Sequence, residues 1–221
     1  MNAILDSANP AGADSRVYLV EDAAPVRDAL TQFLMLQGFR VSAFESAEDF
    51  LDVLDENCNG CAVFDIRLPG KDGLALQAEL VSRDCRLPII VISGHGDAKN
   101  SRTAFKAGAV DFLEKPLDAD QFLIAVTAAM NADASRMKAA GERQQLETRL
   151  ARLTAREAEV LEQLLLGQHA REIAEVLGIS PRTVEVFKAR LMEKLQVRRT
   201  SEVLRLMIAH RANEAANTPK I

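Results

Sequence analysis

Between Arg16 and Met130 the chain alternates short apolar runs with amphipathic stretches of helical length, five times over. That alternation dictates a parallel sheet covered by helices, because a parallel strand can return to its sheet only through a crossover long enough to hold a helix. Strands are expected near residues 16–20, 40–44, 61–65, 88–93 and 109–113, and helices near 25–37, 46–55, 73–82, 99–107 and 118–131. Gly38, Pro69-Gly70, Gly94, Gly96 and Gly108 supply the breaks between them, and Asp118 is a good N-cap for the last helix.

Four of these runs end in a particular polar group. Val17–Val20 ends in Glu21-Asp22, Cys61–Phe64 in Asp65, Ile89–Ile92 in Ser93, and Val110–Glu114 in Lys115-Pro116. Open parallel sheets bind ligands just beyond the carboxyl ends of their strands, so these groups are expected to converge. An acyl phosphate on an aspartate needs a nucleophilic carboxylate, a divalent cation, and donors for the charge that develops in transfer. Asp65, expected to be exposed and held still before the Pro69-Gly70 turn, is the candidate nucleophile. Glu21 and Asp22 bring hard oxygen ligands, and three close carboxylates repel unless a cation such as Mg²⁺ shares them. Lys115 offers a countercharge on a loop fixed by Pro116, and Ser93 a hydroxyl with small Gly94 beside it. Singly, each would be a solvated strand-end group; jointly they form a phosphate-handling kit.

In motif order, spacing and strand alternation this stretch of about 115 residues resembles the receiver domain of two-component response regulators. The resemblance implies a five-stranded, doubly wound, flavodoxin-like parallel sheet, with phosphorylation of Asp65 by a sensor histidine kinase. It implies Mg²⁺ (or Mn²⁺) bound by Glu21, Asp22, Asp65 and the backbone carbonyl of Arg67, with Ser93 and Lys115 on the phosphate and Phe112 as a switch aromatic. Gly94-His95-Gly96-Asp97 and Lys106-Ala107-Gly108-Ala109 look like the subfamily whose output is a helix-turn-helix. Ala98-Lys99-Asn100-Ser101-Arg102 is more polar than that subfamily's usual start of the fourth helix, a departure that bears on the surface through which such receivers dimerise.

After Leu153 the strand pattern stops, and short helices are expected near 155–166, 170–177, 181–195 and 200–211. Glu172-Ile173-Ala174-x-x-Leu177-Gly178-Ile179-Ser180 reads as helix, tight turn and N-cap, and Pro181-Arg182-Thr183-Val184 opens the next helix. Ile173, Ala174 and Leu177 share one face, as do Val184, Leu191 and Leu195, which makes a helix-turn-helix. Arg182, Glu185, Val186 and Ala189 lie on the side that would read base edges, with Thr183, Lys188, Arg190 and Lys194 flanking as phosphate contacts. From Leu153-Thr154-x-x-Glu157 to Lys194-Leu195 the segment resembles the LuxR-type (NarL/FixJ) DNA-binding domain. That family usually has His where this chain has Phe187, expected here in the core.

The reading is therefore an α/β receiver domain followed by a small all-α helix-turn-helix domain: extension 1–15, receiver 16–131, helical linker 132–152, DNA-binding domain 153–213 and tail 214–221. The linker either continues the last receiver helix or hinges near Gly141. Its sparse stripe of Met137, Leu146, Leu150 and Leu153 suits packing on a neighbouring domain or a second chain. From Thr154 onward 11 Lys+Arg face 9 Asp+Glu (+2), which leaves 16 against 23 (−7) for residues 1–153 of a chain of net charge −5. Different partners for the two parts follow. The chain reads as a DNA-binding transcription regulator: partners are a sensor histidine kinase, promoter DNA, a second copy when phosphorylated, and RNA polymerase. Two other classes stay open on the residues alone, a Mg²⁺-dependent phosphohydrolase with an aspartyl intermediate and a DNA binder whose receiver serves only protein contacts.

No apolar run approaches the roughly 18 residues of a membrane span, and the first fifteen residues lack a signal-peptide pattern, so a cytoplasmic protein is expected. The three cysteines, Cys58, Cys61 and Cys85, are poor material for a disulfide framework, and reduced thiols are expected. Cys58-x-x-Cys61 lacks the second pair a zinc site needs. No Trp and a single Tyr argue against an aromatic-lined carbohydrate or single-strand site.

Overall fold

The computed structural model describes residues 15–55, 58–94 and 98–217, with backbone alone at 98–100 and 212–217. The N-terminal extension, most of the Gly94–Asp97 motif, and the side chains of Ala98, Lys99 and Asn100 lie outside it. The chain divides into two compact units, the first ending at Lys138 and the second starting at Ala139.

The first unit holds β1 (Arg16–Val20), α1 (Ala24–Leu36), β2 (Val41–Phe44), α2 (Ala47–Val53), β3 (Gly60–Asp65), α3 (Gly73–Ser82), β4 (Ile89–Ser93), α4 (Ala98–Lys106), β5 (Asp111–Glu114) and the start of α5 (Ala119–Leu150). All strands pair in parallel in the order β2-β1-β3-β4-β5. The inner strands are buried on both faces, which is why they read as unbroken apolar runs rather than alternating ones. Val17, Leu19, Cys61, Val63, Ile90 and Ile92 pack with Leu34 of α1 and Phe122, Val126 and Met130 of α5. Tyr18, Val20, Ala62, Phe64, Ile89 and Val91 pack with Phe50 of α2, Leu76 and Leu80 of α3, and Ala104 of α4. Chain order reverses between β1 and β3, so the switch point at which such sheets bind ligands lies between Glu21-Asp22 and Asp65.

Local chemistry sets the element ends. Ser46 caps α2 by accepting the Asp49 N–H, and Asp72 caps α3 by accepting that of Ala75. Asp118 accepts the Gln121 N–H at 2.9 Å and so caps α5. α5 runs unbroken through the expected linker, with Gly141 inside the helix and nothing within 4 Å of where its Cβ would sit. Strand β5 starts at Asp111, two residues later than expected, because the Ala109 N–H still returns to the Ala104 carbonyl and closes α4.

An acid that periodicity cannot flag ties α5 to the sheet. Asp133 is 1% exposed and accepts the Gly60 N–H at 2.7 Å, while Arg136 supplies its countercharge one turn on. Gly60 itself has φ +124°, and a Cβ there would meet the Arg16 carbonyl oxygen at 1.8 Å.

The second unit carries α6 (Ala155–Leu165), α7 (Ala170–Leu177), α8 (Pro181–Leu195) and α9 (Thr200–Asn217), and α9 extends past the expected end at 211. Val160, Leu161, Leu164, Ile173, Val184, Leu191, Leu195 and Val203 form its core together with Leu146. Among the described residues no helix is long and apolar enough to cross a membrane.

Candidate functional site

The strand ends converge as their spacing predicted. Glu21, Asp22 and Asp65 each present a carboxylate oxygen within 4.8 Å of the others; Glu21 is buried and Asp22 exposed, and Asp65, expected to be exposed, is instead buried beneath Lys115 and the chain that follows it. Arg27, near the start of α1, donates to the backbone carbonyls of Glu21 at 2.7 Å and Asp22 at 3.1 Å, which fixes the acidic turn without neutralising either carboxylate. The Arg67 N–H donates to Asp65 Oδ1 at 2.9 Å and orients the carboxylate from the chain that follows it. Gly73 lets α3 begin directly beneath: a Cβ there would lie 2.3 Å from the Asp65 carbonyl oxygen.

Lys115 reaches in from the end of β5. Its Nζ stands 2.5 Å from Asp65 Oδ2 and 2.8 Å from Glu21 Oε2. Burial alone would push this amine down, but its hydrogen bonds to the two carboxylates outweigh that and hold it above its ordinary value, so it stays an ammonium. The loop is placed by the Lys115 N–H, which donates to the Ser93 carbonyl at 2.7 Å, and the Lys115-Pro116 peptide is cis. Ser93 is fully buried at the end of β4, between the strand of Asp65 and that of Lys115.

Three carboxylates against one ammonium leave the cluster at −2, and its ligands are all hard oxygens. That donor set fits Mg²⁺ or Mn²⁺, with exposed Asp22 on the open side where a hydrated cation can enter. Phe112 on β5 is half-buried against the α2–α4 core, and its ring lies 6.5 Å from that of Phe105, which is itself half-exposed.

In the second unit Gly178 takes φ +64° to turn the chain between α7 and α8, and Ser180 caps α8 by accepting the Thr183 N–H at 3.1 Å. Arg182, Glu185, Val186, Ala189 and Arg190 are exposed, opposite buried Val184, Leu191 and Leu195. Thr183 Oγ1 lies 2.8 Å from Ser180 Oγ, and Lys188 pairs with Glu185 at 3.7 Å. Phe187 packs partly buried against the core. Lys194 differs from its expected place beside DNA phosphates. Its ammonium binds buried Glu157 of α6 at 2.6 Å and the Arg152 carbonyl at 3.0 Å, which makes it an internal strut. Helix-face arithmetic on α8 alone cannot see a partner 37 residues away.

Family models match both units: the response regulator receiver domain over residues 17–127 and the bacterial regulatory proteins, luxR family, over 151–207. The chain is 38% identical over 190 residues to the transcriptional regulatory protein FixJ of Bradyrhizobium diazoefficiens, covering 86% of this chain and 93% of that one. The chain belongs to the FixJ-type two-component response regulators. To the transcriptional regulatory protein TdiR of Thauera aromatica this regulator is 40% identical over 202 residues, 91% of its own length and 88% of the relative's. Among solved structures it is similar to response regulator StyR, with TM-score 0.81, 36% identity, and coverage of 89% of this chain and 100% of that one. Full-length FixJ from B. japonicum gives TM-score 0.57 at 36% identity, over 91% of this chain and 99% of that one.

The regulator thus pairs a receiver with a LuxR-type DNA-binding domain. Arg27 was missed by sequence reasoning, although an arginine one turn beyond an acidic pair is a usable signal. Asp133 was missed because its partner lies 73 residues earlier.

Proposed function

We propose that a sensor histidine kinase phosphorylates Asp65 and that the modified receiver controls promoter binding by the domain at 153–213, through the helical segment 132–152. The observation that carries this reading is the nearly buried Asp65 carboxylate, gripped by Lys115 and the Arg67 N–H beside Glu21 and Asp22. In transfer the phosphorus–nitrogen bond of a phosphohistidine breaks, a phosphorus–oxygen bond forms at Asp65, and the departing imidazole takes up a proton.

Glu21, Asp22, Asp65 and the Arg67 carbonyl would hold Mg²⁺ or Mn²⁺, which when bound neutralises phosphoryl oxygens and so lowers the barrier to attack by a carboxylate. Lys115 exchanges its pairing with Asp65 for one with the phosphoryl group. Ser93 donates its hydroxyl to another phosphoryl oxygen, and Phe112 turns inward behind it. The protein's only chemistry is its own phosphorylation and hydrolysis.

Arg182, Glu185, Val186 and Ala189 read base edges, while Thr183, Lys188 and Arg190 contact phosphates. A reader of net charge +2 binds weakly alone, so two tethered copies gain effective concentration, which is the physical motive for dimerisation on phosphorylation. The protein works in the cytoplasm, with RNA polymerase as a further partner. The test compares wild type with Asp65→Asn after treatment with phosphoramidate and Mg²⁺. Wild type should take up one phosphoryl group, dimerise and bind its operator more tightly, while the variant does none of these. A variant that responds as wild type does overturns the reading.

A further inference from the structure

The two thiols outside the strand core, Cys58 and Cys85, lie ahead of β3 and β4, at the end of the sheet away from Asp65. Cys58 lies just ahead of β3, and Cys85 lies between α3 and β4, where its N–H returns to the Leu80 carbonyl at the end of α3. Both thiols pack half-buried against one core cluster, that of Ala62, Phe64, Ile89 and Val91. A bridge between them requires a Cα separation of roughly 4.4–6.8 Å. Cys61, the other member of the Cys58-x-x-Cys61 spacing, is fully buried on the opposite face of the sheet.

Both half-buried thiols line an open cleft of about 460 Å³, together with Arg83, Arg86 and Arg136. The three guanidiniums already hold the carboxylates of Glu79, Asp84 and Asp133. They still give the rim donors for an incoming carboxylate. The Asp55 N–H donates to Cys58 Sγ at 3.4 Å, and this thiol in turn donates to the Val53 carbonyl at 3.9 Å. Burial pushes the Cys85 thiol up, which suits it to act second.

We propose that Cys58 and Cys85 form a redox-active dithiol that takes small anionic disulfides of the glutathione class. Cys58, as thiolate, attacks one sulfur of the small disulfide, so a mixed disulfide forms and one small thiolate leaves. Cys85, having lost its proton to water, then attacks Cys58 Sγ and expels the second small thiolate. The dithiol is oxidised by two electrons and the small disulfide is reduced to two thiols. Reduced thiols remain the resting state, and the bridge forms when the disulfide-to-thiol ratio rises.

The experiment equilibrates the full-length protein in buffers of rising oxidised-to-reduced glutathione ratio, quenches with an alkylating agent, and digests with trypsin without reductant. Cys58 and Cys61 share the peptide spanning 41–67, whereas Cys85 lies in Asp84-Cys85-Arg86. The two peptides should become joined, fragment ions should place the bridge on Cys58, and the free thiols should fall from three to one. Cys85→Ser should stop at a glutathione adduct on Cys58, and Cys58→Ser should leave Cys85 unmodified. Peptides that stay separate at the highest ratio, or a bridge on Cys61, overturn the site. An adduct on Cys85 in Cys58→Ser overturns the order of attack.

Discussion

Lys115 Nζ stands 2.5 Å from Asp65 Oδ2, although 50 residues separate the two in sequence. Parallel strands β3, β4 and β5 bring them together, and the same amine also holds Glu21. The ammonium thus occupies charge that a divalent cation would otherwise neutralise alone. Lys115→Ala should leave the carboxylates more dependent on metal. The thermal midpoint of the variant should rise more on adding Mg²⁺ than that of wild type, while labelling of Asp65 by phosphoramidate falls by about 100-fold, typical of losing one preorganised charge donor. An unchanged Mg²⁺-induced shift would count against the pairing.

Gly73→Ala should damage the site through its backbone. The new methyl would collide with the Asp65 carbonyl, and the backbone shift that relieves it costs about 1–3 kcal/mol. Urea unfolding should show that loss together with slower Asp65 labelling, whereas Gly141→Ala, in open helix, should gain a few tenths to about 1 kcal/mol.

Asp133→Ala should cost about 3 kcal/mol or more, since it leaves Arg136 without its partner and the Gly60 N–H without an acceptor. Urea unfolding measures the loss. Amide exchange of Gly60 should accelerate well before that of the central strands. Full protection at Gly60 in this variant would rule the anchor out.

Lys188→Ala and Arg190→Ala should each lower the slope of log binding constant against log salt by about 1. Lys194→Ala should leave the slope unchanged and instead destabilise the C-terminal unit by about 2 kcal/mol, because it strands buried Glu157. Fluorescence anisotropy across a salt series separates the two behaviours, and a lowered slope for Lys194→Ala would return that residue to the DNA face.

Glu157 gives the same strut a pH signature. Lys194, followed by the Thr154 N–H, holds its carboxyl below the usual carboxylate range of about 4.5. A carboxyl depressed in the folded state contributes stability that is present above the unfolded value and lost as pH falls through the folded one. Amide protection in α6 to α8 should therefore weaken as pH drops below about 4.5, and Glu157→Gln should be less stable at neutral pH but flatter across that window.

The receiver was legible because burial on both faces writes each inner strand as an apolar run and because its polar groups sit at the strand ends. Helices α6 to α8 were legible through Thr154, Ser180, Pro181 and Gly178, whose local preferences match their positions. What could not be read depends on distant partners. Lys194 looks like a surface cation until Glu157 is placed beneath it, Asp133 looks like a solvated acid until Gly60 meets it, and Cys58 is spaced as a partner of Cys61 until the fold buries Cys61 on the opposite face and leaves Cys58 in one cleft with Cys85. Continuity of α5 through Gly141 was likewise undecided by sequence, since one glycine weakens a helix without ending it.

Of the three clustered carboxylates, Asp22 alone faces solvent. A cation held between two sealed acids and one open acid can arrive and depart through bulk water, with no part of the sheet or its helices having to unseat. Under the proposed phosphorylation, occupancy would follow free metal concentration on the timescale of ligand exchange. Metal supply would then set how readily the regulator can be written upon, and the written mark alone would hold the memory.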